Sequence, residues 1–470
     1  MTTMQRLSAL DASFLALETP VTPMHVGCLA TFDGAPMRGP DGRVRIDDIR
    51  KLADERLALL PRFRQRIVRL PGGRPMWADD PDFDVSYHVR AATLPAPGTE
   101  AQLRQLAEHL HMELLDRSRP LWELWYVDGL QDGRVALIEK VHHCLMDGVS
   151  GVDVAAALMD VSPEVRRLPD ARWFPEPAPG VPGLEAVAAT RLAAAPLGVA
   201  GWAWEKLRNP ADTVKAAVSV ARGLGTVLRY PPIAGSSSLN RRVDGRRRRF
   251  EVAHLSVPEA KRIRTALGGG TVNDVILASV AGGLREMLLA RGEPVEGVAL
   301  QTLVPVSVRD DAHRGALGNQ VAAMFVPLPL GGDDHAARYR QVRAATDLRK
   351  SGGQAAFSRS LLASLEHLPS LLLDAATPLV HRQPFVNLVV TNVPGPQVPL
   401  YTLGARMLDV APIVPIARNL DLSVGIFSYD GTATLGIWGD ADLCPDLALL
   451  AEGTEKAFAV LGYLADEASR

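Results

Sequence analysis

Two adjacent histidines, His142 and His143, are followed four residues after the second by Asp147 and then by Gly148. The residues before them, Arg134 to Val141, run apolar or alternate and predict a strand. The residues after them, Val149 to Val161, carry Val152, Ala155, Ala156, Leu158 and Met159 at helical spacing. The histidines therefore stand at the end of a strand, on a tight turn into a helix, where α/β proteins place many of their reactive groups. A histidine held there in one orientation, with a carboxylate and a glycine shaping the turn, is suited to act as a base.

Other chemistries fit this stretch less well. Zinc needs three or four ligands, adjacent side chains on a strand point to opposite faces, and no His-Glu-x-x-His is present. Cys144 follows His143 but has no partner constellation that would make it a nucleophile. Two merely structural histidines remain an alternative. The chemistry favoured is removal of a proton from an alcohol, amine or thiol that attacks a carbonyl, with no enzyme nucleophile.

The whole chain limits the partners. Its 470 residues suit one very large domain or two ordinary ones, and 22% charged residues indicate a globular protein. A net charge of -2 supplies no general attraction to nucleic acid. Cys28, Cys144 and Cys444 form no Cys-x-x-Cys and fit a reducing cytoplasm. Met1 to Pro20 contains Asp11 and Glu18 and does not read as a secretory signal. No uninterrupted apolar run of roughly 18 residues occurs, so any membrane contact is expected to be peripheral.

Along the chain, helices are predicted at Ile46–Leu60, Glu100–Leu115, Pro258–Leu267 and Thr271–Leu289. Strands are predicted at Val26–Phe32, Glu123–Val127, Phe250–Leu255, Val298–Val308, Val321–Val326 and Phe385–Thr391. Leu420–Phe427 and Thr432–Trp438 flank Tyr429-Asp430-Gly431, a hairpin signal. His25, just before a strand, reads as a hydrogen-bonded core residue. Arg62, Arg64, Arg66 and Arg69 read as a solvated face.

Prolines from Pro163 to Pro182 mark a linker. Leu184 to Tyr230 is apolar, with scattered cations and tryptophans. It reads either as helices on a lipid surface or as an interdomain hairpin. The basic run Arg241 to Arg249 reads either as a solvated loop or as an anion site.

His142-His143-Cys-Leu-Met-Asp147-Gly148 matches the H-H-x-x-x-D-G motif of the coenzyme A-dependent acyltransferase superfamily. Further landmarks resemble the bacterial wax ester synthase/diacylglycerol acyltransferase family: Pro120-Leu121-Trp122, Asn273-Asp274-Val275, Pro305-Val-Ser307-Val-Arg309, Gly318-Asn319 and Thr391-Asn392-Val-Pro394-Gly395-Pro396. The opening Leu7 to Phe14 and Thr22 to Gly27 also resembles that family, and the match keeps its order from end to end. Cys144 departs from it, standing where the family often has alanine.

The resemblance implies an α/β (α+β) fold of two chloramphenicol acetyltransferase-like mixed-sheet domains, forming a pseudo-dimer with a central tunnel. The expected division is 1–180 and 239–470, with 181–238 as a helical, apolar linker. It implies long-chain acyl transfer from acyl-coenzyme A, a co-substrate rather than a bound cofactor, to diacylglycerol or a fatty alcohol. Carried over, His143 is the general base, His142 its support, Asp147 an orienting carboxylate, and Gly148 the residue that permits the turn. Asn273 is a candidate for polarising the thioester carbonyl, with a helix cap as its alternative. Arg309 is a candidate ion-pair partner of Asp147 across the domains. Ser307, Asn319 and Asn392 are expected at the substrate cleft between the domains. Pro120, Leu121 and Trp122 either shape the acyl tunnel or pack in the core.

A cytoplasmic protein touching the inner membrane face or lipid inclusions is expected, without nucleic acid. Two alternatives stay open: a condensation-type or polyketide-tailoring enzyme taking a carrier-protein thioester, and a non-catalytic protein of lipid surfaces.

Overall fold

The computed structural model describes residues 4–69, 74–146, 151–168, 173–176, 180, 237–307, 321–351 and 385–470. The first part of the chain forms β1 (Gln5–Arg6), α1 (Ala9–Leu17), β2 (His25–Phe32), α2 (Ile46–Arg56), β3 (Gln65–Val68) and β4 (Met76–Asp79). It continues through α3 (Val85–His88), β5 (Val89–Thr93), α4 (Glu100–Met112), β6 (Trp122–Asp128), β7 (Val135–His142) and α5 (Gly151–Leu158). The second part runs β8 (Arg248–Ser256), α6 (Val257–Ala266), α7 (Val272–Ala290), β9 (Ala299–Ser307), β10 (Val321–Pro329) and α8 (His335–Ser351). It ends with β11 (Leu388–Pro394), β12 (Tyr401–Thr402), β13 (Ala405–Ile413), β14 (Leu422–Tyr429), β15 (Thr432–Asp440) and α9 (Leu447–Ala468).

Two six-stranded mixed sheets organise these elements, as the two-unit expectation requires. The first has the order β12-β13-β2-β7-β6-β5 and the second β10-β9-β11-β14-β15-β8. A small sheet, β1-β4-β3, flanks the first. In the first sheet β2 and β7 run antiparallel with His25 opposite His142. In the second, α7 and α9 cover one face, and Gly283 on α7 lies so close to Thr454 and the Leu450 carbonyl on α9 that a side chain there would clash.

Local chemistry explains where these elements begin and turn. Thr99 and Gln102 close a capping box at the start of α4, and Thr271 and Asp274 do the same for α7. The β14–β15 turn places Asp430 at φ 44° and Gly431 at φ 86°, the left-handed pair that a two-residue hairpin requires.

The chain does not divide cleanly at residue 239. β13, drawn from the later half, pairs antiparallel with β2 from Ile413↔Gly27 to Met407↔Phe32, with a bulge between Met407 and Asp409. Leu400, Leu403, Ala405, Met407, Val410 and Tyr429 accordingly belong to the same buried cluster as Phe32, Trp122 and Val141. An edge strand that accepts a partner from the other unit is no longer an open edge. The C-terminal region thus completes the first sheet as well as building the second.

One expectation about the arginines is corrected. Arg64 is not on a solvated face: it is buried, ion-paired to Asp54 at 2.8 Å and stacked 5.0 Å from the Trp173 ring centre. In the basic run that leads into β8, five arginines are ion-paired, which favours the loop reading over a free anion site. Arg241 pairs with Asp421, Arg242 with Asp244, Arg246 with Glu113, Arg247 with Asp442 and Arg248 with Asp440. The apolar region 184–230 lies outside the described residues.

Candidate active site

β7 delivers the two histidines. Its register is fixed on one side by β2 and on the other by β6, and it is also anchored to α4. Lys140, buried, donates from Nζ to the Leu110 and Glu113 carbonyls at 3.1 Å and lies 3.0 Å from Glu123 Oε2. A cation at the carbonyl end of a helix satisfies acceptors that the helix leaves open. The strand end is held further by main-chain bonds: the His142 N–H donates to the Leu121 carbonyl at 2.9 Å and the His143 N–H to the Met24 carbonyl at 2.8 Å. His143 to Met146 then turn as a 3₁₀ helix.

The two rings face different surroundings, as adjacent strand positions do. His142 is 1% exposed. Its Nδ1 accepts the Cys144 N–H at 3.1 Å, so Nδ1 carries a lone pair and the proton belongs to Nε2. Nε2 lies 3.2 Å from Glu18 Oε2. Glu18, the residue that ends α1, is also bound by Arg117 Nη2 at 2.8 Å on Oε1 and by the Met24 N–H at 3.3 Å on Oε2. Burial works to raise the Glu18 pKa. The close contact with His142, together with Arg117 and His25, outweighs it and holds the carboxyl at about 2. Glu18 is therefore a carboxylate at any pH at which the fold operates.

His143 lies against Phe14 of α1, the rings stacked with centroids 3.9 Å apart and planes 16° apart. Burial lowers its pKa to about 4, with its own backbone carbonyl pulling upward and His142 pushing down. At neutral pH the imidazole is uncharged and able to accept a proton. The cysteine beside it is not a candidate nucleophile: Cys144 is fully buried, and burial pushes its thiol pKa well above the ordinary range.

His25 behaves as the core residue expected of it. It is buried, its Nδ1 donates to the His111 carbonyl at 2.9 Å, and burial with the charge of Lys140 takes its pKa to about 3.

From the second sheet, Asn273 near the start of α7 and Asn392 near the end of β11 meet: Asn392 Nδ2 donates to Asn273 Oδ1 at 2.9 Å. Thr271, not Asn273, is the helix cap, so the capping alternative for Asn273 is removed. Both amides are half-buried. Phe427, paired with Val393 one residue beyond Asn392, packs against the cluster that contains Val141, Cys144 and Leu145.

Pro120, Leu121 and Trp122 are core. Leu121 and Trp122 are fully buried, Trp122 Nε1 donates to the Phe63 carbonyl at 2.7 Å, and the Leu121 carbonyl holds His142. Asp147, Gly148, Arg309 and Asn319 lie outside the described residues, as does the side chain of Ser307. Glu18 and Phe14 are the site residues that sequence reasoning passed over. Their signal was a carboxylate at the end of an apolar helix, immediately before the proline-punctuated entry to β2.

Comparison with known proteins shows the family. The wax ester synthase/diacylglycerol acyltransferase catalytic domain matches residues 7–276, and the WS/DGAT C-terminal domain matches residues 317–462. The chain is 33% identical over 471 residues to the probable diacylglycerol O-acyltransferase tgs1 of Mycobacterium tuberculosis, covering 97% of this chain and 96% of that one. Its structure is similar to that of a wax ester synthase/diacylglycerol acyltransferase from Marinobacter aquaeolei VT8. The TM-score is 0.66 at 26% identity, over 98% of this chain and 100% of that one. A starter condensation domain of rhizomide synthetase, solved with C8-CoA and Leu-SNAC, shares the fold at TM-score 0.60 and 15% identity, over 100% and 96% of the two chains.

Proposed function

The chain belongs to the wax ester synthase/diacylglycerol acyltransferase family, and on that premise we propose how its residues carry out the reaction. It is an acyltransferase that moves a fatty acyl group from acyl-coenzyme A to the hydroxyl of diacylglycerol, giving triacylglycerol and free coenzyme A. His143 is the general base. Its imidazole is uncharged at neutral pH, and we assign Nε2 as the nitrogen that accepts the proton.

Nε2 takes the acceptor hydroxyl proton as the oxygen attacks the thioester carbonyl. The tetrahedral intermediate places negative charge on the former carbonyl oxygen, and the Asn273 amide, oriented by Asn392, donates to it. Collapse expels coenzyme A thiolate, which recovers the proton from the imidazolium. No acyl-enzyme forms. His142 and Glu18 keep the turn in place, and the family resemblance assigns Asp147 and Gly148 to the same support. Arg309, Ser307, Asn319 and Asn392 are assigned to substrate binding from the family resemblance.

A single observation carries this reading. The base is uncharged and stacked on Phe14, while its neighbour is tied to an ionised glutamate. A long-chain alcohol is a second acceptor of the same chemistry. Among the described residues no helix is long and apolar enough to cross a membrane. We place the protein peripherally on the cytoplasmic membrane face or on lipid inclusions, where its acceptor resides.

The test is product analysis with palmitoyl-coenzyme A offered together with diacylglycerol and hexadecanol, and in parallel with a palmitoyl-carrier protein as donor. Triacylglycerol from the coenzyme A donor is expected, with wax ester as the lesser product. Turnover with the carrier-protein donor alone would move the enzyme to the condensation-type class. Lipid binding without any product would make it a surface protein.

A further inference from the structure

A buried cation joins the second sheet to the loop that carries Glu18. Arg248, at the start of β8, is 5% exposed. Its Nη1 lies 3.3 Å from Asp440 Oδ2 on β15 and donates to the Gly245 and Arg247 carbonyls at 3.0 and 2.9 Å. Asp440 is itself fixed, its Oδ1 accepting the Asp442 and Leu443 N–H groups at 2.9 and 3.0 Å. From this anchorage Arg248 Nη2 donates across the units to the carbonyl of Val21.

Val21 sits between the two contacts that orient the histidine turn. Three residues before it is Glu18, whose carboxylate meets His142 Nε2. Three residues after it is Met24, whose carbonyl receives the His143 N–H. The loop between them is stiff: Thr19 and Thr22 exchange main-chain bonds at 3.2 and 3.1 Å, and their hydroxyls lie 2.7 Å apart. A displacement at Val21 therefore reaches both ends. The loop is buried on its inner side, where Thr22, Pro23, His25, His111, Arg248 and Trp438 border a cavity of about 10 Å³, room for about one water molecule.

We infer that Arg248 is a positioning residue of the acyl-transfer site, setting through Val21 the loop that orients His142 and the backbone of His143. The second sheet then governs the geometry of a base that stands on the first. This rests on the acyl-transfer reading above. Arg248 touches neither substrate nor reacting atoms, and the guanidinium suits the task because its planar fork can serve Asp440 and Val21 at once.

The test is a double-mutant cycle on steady-state transfer from palmitoyl-coenzyme A to diacylglycerol, using R248M, R248K, E18Q and R248M/E18Q. R248M is expected to lower kcat about tenfold while the KM for palmitoyl-coenzyme A stays within about twofold, since small misplacements of a reacting group are costly and binding is untouched. R248K, which keeps the charge beside Asp440 but not the fork, is expected to lose less. The double variant should be no slower than E18Q alone, because Arg248 acts on His142 through the loop that presents Glu18, and that support is already lost in E18Q.

Multiplying losses in the double variant would overturn the inference. So would an R248M enzyme with wild-type kcat and only a lower melting temperature. Should R248M fail to fold, R248K with E18Q runs the same cycle. A wild-type enzyme without turnover would instead refute the acyl-transfer reading itself.

Discussion

Replacing His143 by alanine is expected to lower kcat for acyl transfer by about 10³-fold, within the 10² to 10⁴ range of general-base catalysis. That corresponds to about 4 kcal/mol of transition-state stabilisation. The fold should survive. The ring contributes its stack on Phe14, worth about 1 kcal/mol, and the His143 N–H bond to Met24 does not depend on the side chain. The pH dependence supplies a second readout. The folded-state pKa of about 4 lies below the usual histidine value, so the base is lost only as pH falls through about 4. The wild-type kcat/KM should therefore be level between pH 5 and 7, where an ordinary histidine would already lose activity, and the residual rate of H143A should lack the acid limb near pH 4. An H143A enzyme with wild-type turnover would show that the base lies elsewhere.

Glu18→Gln is the second large effect. The amide keeps the shape but loses the charge that fixes His142 as the Nε2–H tautomer. It also weakens the Arg117 contact. Supports of a reacting histidine are typically worth 10- to 100-fold, and the upper end is expected here, about 10² in kcat with the KM for acyl-coenzyme A little changed. Stability should move as well, by about 1–3 kcal/mol for a buried partner removed. The sign is set by the depressed carboxyl. The unfolded chain binds the Glu18 proton near the ordinary carboxylate pKa and the folded chain only near 2, so this contribution is full above about pH 4.5 and is lost as pH falls toward 2. Steady-state rates and melting temperatures across pH check both parts. An E18Q enzyme with unchanged kcat would reduce Glu18 to a structural acid.

Much of this was legible in the chain because local chemistry was strong. The alternation through Val135–His142 and the Asp430-Gly431 turn each declare their element, and Thr271 with Asp274 marks the start of α7. β13 was not legible. Ala405–Ile413 carries Asp409 and Pro412, tolerable because Pro412 lies opposite Cys28 near the strand end and Asp409 sits at the bulge, where it binds His254 and Thr434. Only the partner strand reveals it. Glu18 was hidden for the same reason: its partners His142 and Arg117 are about a hundred residues away in sequence. Arg64 and Arg248 misled because charge in a sequence predicts exposure, whereas a paired guanidinium can be buried. Asn273 was placed rightly near the helix start, but what it binds, Asn392, comes from a distant strand.

The claim on which the account depends is direct transfer, with a histidine base and no acyl-enzyme. Rapid mixing of the enzyme with palmitoyl-coenzyme A, following release of the coenzyme A thiol with and without diacylglycerol, tests it. No release is expected until the acceptor is present, and then a linear course without a burst, since the buried thiol of Cys144 cannot take up the acyl group. A burst of one thiol per enzyme in the absence of acceptor would contradict it.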